Sequence, residues 1–302
     1  MKIGFCFAGQ GSQVVGMGRE LYDAYETVRN LYDAFPEIRD LCFLENDLLN
    51  QTAYAQKAIL LTSYAIATLL KEKGIEPEYV CGLSLGEYSA LAFSDVWQLE
   101  DAISIITKRG ELMQNALPLG TSKMAAVIGL SREVILDCIK NIEGVCEIAN
   151  YNCPGQIVIT GSVESVDQAS KALEEAGAKR VIPLNVSGAF HCSLLKDASK
   201  ELRKVLDAYQ PKEPIYKVIY NVSGKEETAP INDLLERQIC NSVYFEDSIL
   251  YMLSKGVDTF VEIGPGRALT GFIKKIDRSL NVYTINDIES IQKLIEGIQN
   301  ED

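Results

Sequence analysis

The opening "KIGFCFAG" is an almost unbroken apolar run that predicts a buried strand, and it empties into a glycine-rich loop, "GQGSQ", at 9–13. Between 52 and 72 apolar residues recur at helical spacing, and Gly74 with Pro77 supplies a stop, which predicts a helix there. "YVCGLS" is short and apolar, while "LGEYSALAFS" behind it is rich in helix formers, so this stretch reads as strand, sharp turn and helix. From 124 the pattern changes: "MAAVIGL", "SREVILDCIKNI" with a serine cap, "CEIANYN", "QIVITG", "SVESVDQASKALEEAG" closed by a glycine, and "KRVIPLNV". Strand, helix, strand, strand, helix, strand is the order of a ferredoxin-like unit. Further on, 193–209 reads as a helix, "IYKVIYNV" as a strand, 232–255 as helical, "DTFVEIG" as a strand and "ALTGFIKKI" as a helix. The pattern predicts an α/β body with a mostly parallel sheet, made by 1–121 and 189–302, interrupted by a ferredoxin-like (βαββαβ) subdomain at 122–188.

Composition narrows the function. With 302 residues, 47% of them hydrophobic and 24% charged, the chain buries a large core. Its longest uncharged apolar stretch, "AILLTSYAIATLL" at 58–70, is too short to span a bilayer, and "MKIGFCFAGQGSQ" turns glycine-rich too soon for a secretory signal, so a cytoplasmic protein with no membrane contact is expected. A net charge of -13 opposes nonspecific binding to nucleic acid. The eight cysteines contain no CxxC pair and the chain has one histidine, so neither a disulfide framework nor a zinc site is expected, and no metal is assigned.

The chemistry centres on "GLSLG". A serine nucleophile on a strand-to-helix turn needs small neighbours, which Gly82 and Gly86 supply, and the turn aims the N–H of Leu85 at whatever Ser84 attacks. The competing reading is a small residue in an ordinary β-α turn. A serine hydroxyl needs a base, and His191, in "NVSGAFHCSLL" just past a strand, is the only histidine available. Asp137 and Asp167 belong to helices of the insert and read as solvated positions, so no aspartate completes a triad. Glu87 falls in the first helical turn, where it supports the helix dipole. The "GQGSQ" loop lacks the lysine and hydroxyl of a phosphate loop, and its N–H groups are free to complete an oxyanion hole.

Six collinear segments, "FAGQGSQ", "GLSLGE", "KRGELMQ", "NYNCPGQIVITG", "VSGAFH" and "EIGPGRALTG", resemble the malonyl-CoA:acyl carrier protein transacylases, the family that includes the acyltransferase domains of polyketide and animal-type fatty acid synthases. The resemblance implies a hydrolase-like α/β body with a ferredoxin-like insert. It implies Ser84 as the acylated nucleophile, His191 as its base, and the N–H groups of Gln10 and Leu85 as the oxyanion hole. It orients the histidine with a main-chain carbonyl, assigned to Tyr244 in "NSVYFED", a stretch that departs from the family's Ser-Pro-Val-x-Trp pattern. Arg109 matches the arginine that binds the malonyl carboxylate, a task for which a planar guanidinium suits better than Lys108. Asn152 and Gln156 match a loop near the cleft. Phe190 stands where members that accept malonyl carry an aromatic residue. Leu83 departs from the family's usual histidine. The resemblance also implies no permanently bound cofactor, malonyl-CoA as substrate with coenzyme A as product, and an acidic acyl carrier protein as partner of a monomeric enzyme, with Lys179 and Arg180 as candidate docking residues. A polyketide-line acyltransferase, a serine thioesterase or hydrolase, and a catalytically silent scaffold are the competing functions.

Overall fold

A computed structural model describes residues 1–299. The strands are β1 (Ile3–Phe7), β2 (Tyr79–Gly82), β3 (Ser122–Ile128), β4 (Cys146–Cys153), β5 (Gln156–Ser162), β6 (Arg180–Pro183), β7 (Lys217–Val218), β8 (Val243–Tyr244), β9 (Thr259–Ile263) and β10 (Asn281–Ile285). Among the described residues they form two sheets, ordered β10-β9-β1-β2-β7 and β6-β3-β5-β4-β8. Every pairing in the first sheet is parallel. Such a sheet must be covered on both faces, and the central strand β1 is buried throughout. Phe5 and Phe7 pack to one side with residues of the helices Thr52–Glu72 and Leu85–Phe93, while Cys6 packs to the other with Phe245, Met252, Leu269 and Ile273.

The second sheet carries the ferredoxin-like unit. β3 pairs antiparallel with β5 and β6, and β4 antiparallel with β5. Its residues alternate by face as a pleat requires. Met124, Ala126, Ala149 and Val158 join the main core, whereas Ala125, Val127, Ile148, Ile157 and Ile159 pack with the unit's own helices, Arg132–Ile139 and Val163–Glu175. Ser131 caps the first helix by accepting from Val134 N–H, as its position predicts. Gly177, at φ 96°, follows the second, where only glycine adopts the left-handed turn cheaply.

Three expectations fail locally. The 232–255 segment is not one helix: a helix covers Ile231–Gln238, β8 intervenes, and a second helix covers Phe245–Ser254. The break is chemical. Asn241 Nδ2 donates to Arg237 O at 2.7 Å and Ser242 Oγ to Ile148 O at 2.5 Å, which ends the helix and pulls the chain onto β4, where β8 pairs in parallel. "IYKVIYNV" pairs with β2 only through β7, then turns away at Tyr220. "KRVIPLNV" contributes only Arg180–Pro183. No helix of the described residues is long and apolar enough to cross a membrane.

Candidate active site

β2 ends at Gly82 and a helix begins at Leu85, leaving Ser84 at φ 56°, ψ −105°, a conformation that costs an L-residue of order 1–3 kcal/mol. The glycines make the turn possible. A Cβ on Gly82 would lie 1.9 Å from Gly86 C, and one on Gly86 would lie 2.2 Å from Phe7 O, so the helix packs directly on the sheet backbone. Asn221 stitches the turn from below: its Oδ1 accepts Ser84 N–H at 2.8 Å and its Nδ2 donates to Gly82 O at 2.6 Å. This contact explains why the chain leaves the sheet after β7.

His191 Nε2 lies 2.6 Å from Ser84 Oγ, and His191 Nδ1 lies 2.9 Å from Gln238 O. A carbonyl only accepts, so Nδ1 carries the proton and Nε2 presents a lone pair to the serine hydroxyl. Gln238 ends its helix, and its carbonyl is one of those a helix terminus leaves without an intrahelical partner. Tyr244, the residue expected to supply this carbonyl, does not: Tyr244 O accepts from Ser248 Oγ at 2.8 Å, and its ring stacks on Tyr151 with centroids 4.9 Å apart. The helix break before β8 moves the orienting carbonyl six positions upstream. Burial, reinforced by Arg109, lowers the His191 pKa to about 4, so the ring is neutral at physiological pH.

Arg109, on the helix Leu99–Gln114, is fully buried. Its Nη2 donates to Ser84 Oγ at 3.1 Å and to Gln238 Oε1 at 2.9 Å, and its Nη1 donates to Gln56 Oε1 at 2.7 Å. The guanidinium also stacks over Tyr88, 4.9 Å from the ring centroid. Burial pulls its pKa below the ordinary value, against the nearby Tyr88 and Glu87. These hydrogen-bond partners, two amide oxygens and a serine hydroxyl, are neutral and hold a cation in place without neutralising it.

A cavity of about 550 Å³ opens beside these groups, lined from the body by Gln10, Leu83, Ser84 and His191 and from the second sheet by Met124, Asn150 and Asn152. The N–H groups of Gln10 and Leu85 donate to no backbone or side-chain acceptor among the described residues. Leu85 is the first residue of its helix, where an unpaired donor and the positive dipole end coincide. Gly9 lets the Gln10 loop press onto the elbow; a Cβ there would come within 2.6 Å of Leu83 O. Phe190 is buried and lines the cavity. Asn152 is buried with its Oδ1 unpartnered, and Gln156 lines the rim and accepts from Lys275 Nζ at 2.8 Å. Lys179 and Arg180 lie outside the cavity and are exposed; Arg180 begins the edge strand β6 opposite Ile128, whose other partner is Gln156.

Gln56, Asn221 and Gln238 escape the sequence reading. Gln56 alone carries a signal, an uncharged polar residue on the apolar face of a mostly buried helix. Asn221 and Gln238 act through a side-chain amide at a turn and a backbone carbonyl, which no residue pattern marks.

A strained serine on a strand-to-helix elbow, over a parallel sheet and paired with a buried imidazole, defines an α/β protein of the serine-elbow class. The Acyl transferase domain family model matches residues 4–300, and the chain belongs to that family. It is 42% identical to a malonyl CoA-acyl carrier protein transacylase of Bacillus subtilis (strain 168), covering 99% of this chain and 98% of that protein. The structure superposes on the malonyl CoA-acyl carrier protein transacylase of Clostridium perfringens ATCC 13124 with TM-score 0.97 at 39% identity, covering 100% of this chain and 98% of the other. It also superposes on a malonyl-transacylase solved in complex with its type II polyketide-synthase acyl-carrier protein, PlMCAT with AntF, with TM-score 0.94 at 37% identity, covering 98% and 100%.

Proposed function

We infer that the protein is a malonyl-CoA:acyl carrier protein S-malonyltransferase that works through a malonyl ester on Ser84. The observation that carries this reading is the oxygen shared by two groups: Ser84 Oγ stands 2.6 Å from His191 Nε2 and 3.1 Å from Arg109 Nη2, beside a cavity. The imidazole takes a proton from that oxygen. The guanidinium stabilises negative charge on it and offers donors to the free carboxylate of a malonyl group.

In the first half-reaction His191 Nε2 removes the Ser84 proton as Oγ attacks the thioester carbonyl. The oxyanion is met by the N–H groups of Gln10 and Leu85. The C–S bond then breaks, and the coenzyme A sulfur leaves with the proton held by His191. In the second half, His191 takes the proton of the phosphopantetheine thiol, the thiolate attacks the ester, and Ser84 Oγ leaves and is reprotonated. Malonyl-CoA is thus a substrate and coenzyme A a product. Every group in this scheme comes from one chain, which supports a monomeric enzyme.

Similarity to a transacylase solved with its carrier protein supports such a protein as second substrate. Lys179 and Arg180 are our candidates for docking it, and we assign the product to fatty acid synthesis. Intact mass after mixing with malonyl-CoA tests the core of the reading: the wild type gains a lasting malonyl adduct, while Ser84→Ala and His191→Ala do not. Rapid release of free malonate without an adduct would make the protein a thioesterase. Offering carrier proteins from fatty acid and polyketide lines decides the pathway by the higher kcat/KM.

A further inference from the structure

Glu87 lies in the first turn of the helix Leu85–Phe93, where a carboxylate ordinarily faces solvent and complements the helix dipole. Here it is turned inward and fully buried. Removing a carboxylate from water is costly unless donors meet it, so the donors show what its burial serves. Its Oε2 accepts Asn221 N–H at 3.1 Å and Gln238 Nε2–H at 3.2 Å, and its Oε1 has no partner.

Both donors come from residues that hold the reacting groups. Gln238 Nε2 also donates to Ser84 O at 2.7 Å, its Oε1 accepts from Arg109, and its main-chain carbonyl fixes the His191 ring. Asn221 holds both the N–H of Ser84 and the carbonyl of Gly82. We propose that Glu87 is a positioning residue for acyl transfer: its carboxylate anchors Gln238 and Asn221, and through them sets the His191 ring against the strained Ser84 turn. This rests on the reading of Ser84 and His191 as the acylated pair.

The carboxyl also titrates where activity is measured. Burial raises its pKa to about 7, against the opposing pull of the Asn221 N–H, the Gln238 amide and the Arg109 charge. The titratable and charged groups facing it are Arg109 from the helix Leu99–Gln114, Tyr88 from its own helix and Tyr220 from the segment after β7. Both phenols are held well above their ordinary value, chiefly by burial, and stay neutral. Above pH 7 the ionised carboxylate is a strong acceptor for both donors. Below it, the protonated group accepts weakly and brings a hydroxyl with nothing to donate to.

Single-turnover formation of the malonyl-enzyme, followed by intact mass as a function of pH, tests this on wild type, Glu87→Ala and Glu87→Gln. Glu87→Ala loses both contacts, and its rate falls about 10- to 100-fold, the size expected of a small misplacement of reacting groups. The KM for malonyl-CoA changes by less than about threefold, because ground-state binding is untouched. Glu87→Gln keeps one neutral oxygen for both donors, as the protonated acid does, so its rate above pH 7 lies between those of Glu87→Ala and the wild type. The wild-type rate declines as pH drops through about 7, whereas in Glu87→Gln that limb disappears and the remaining decline moves toward the His191 value of about 4. A wild-type rate in folded Glu87→Ala, or an unchanged acid limb in Glu87→Gln, overturns the proposal, and the second variant decides alone if the first does not fold. A wild type that forms no adduct would instead overturn the acylation reading beneath it.

Discussion

In the proposed reaction Arg109 has two duties that one substitution can separate. It lends charge to Ser84 Oγ and braces Gln238, which serves any acyl group, and it offers donors to a carboxylate, which serves only a diacid. Arg109→Ala therefore slows both malonyl and acetyl transfer by leaving the Gln56 and Gln238 oxygens unpaired. It slows malonyl more, and the ratio of the two kcat/KM values falls on the order of 100-fold, since a hydrogen bond to a charged group is worth about 1.5–3 kcal/mol. An unchanged ratio would remove the carboxylate from its role. At this scale the sequence exposes what residue type alone encodes: a serine between glycines, a single histidine, an arginine. It hides the Gln238 carbonyl, because every residue has one and only the helix terminus makes this one available. It hides Glu87 too, since an acid in a first turn looks solvated until the neighbouring segment closes over it.

The elbow is the element on which the site depends, and its glycines make opposite predictions from those elsewhere. A helical glycine replaced by alanine gains about 0.4–1 kcal/mol where nothing obstructs the new methyl group. Gly271, in the helix Ala268–Ile276, has no atom within 4 Å of its would-be Cβ, so Gly271→Ala is expected to stabilise by about that amount. Gly86 meets Phe7 O at 2.2 Å and Ala8 O at 2.9 Å, both backbone atoms that cannot rotate aside. Steric cost wins there, and Gly86→Ala should lose on the order of 3 kcal/mol in urea denaturation and lower the yield of adduct. Equal behaviour of the two variants would mean the elbow tolerates a lifted helix. Element order was legible along most of the chain because period-2 and period-3.6 patterns are local. The early end of β7 and the whole of β8 were not, since two paired residues carry no period and both are set by a contact with a distant segment: Asn221 under the elbow draws the chain away after β7, and Ser242 on β4 brings it in to β8.

For the whole molecule the cavity is a seam: one wall is the parallel sheet with its elbow, the other is the inner face of the second sheet, and β8 joins the two by completing the edge beside β4. An acidic carrier protein approaching this seam meets a molecule of net charge -13, so the long-range field opposes the encounter. Attraction must come from cations within about one screening length, roughly 8 Å at physiological salt, of the docked surface. Lys179 and Arg180 fit that need because they are exposed, begin an edge strand, and make no ion pair among the described residues, which leaves their charge available to a partner. Lys179→Glu with Arg180→Glu is expected to lower kcat/KM for the carrier protein about 10- to 100-fold, acting mainly on association, since rim charges set the rate of encounter more than the lifetime of the complex. Malonyl-enzyme formation from malonyl-CoA and transfer to free phosphopantetheine remain at the wild-type rate, because neither charge reaches Ser84. Raising ionic strength should slow carrier loading in the wild type and have less effect in the double variant. If both proteins load the carrier equally at every salt concentration, the carrier docks on another face, and Arg267, which lines the cavity, with Lys275, which donates to Gln156 of that lining, become the cations to reverse next.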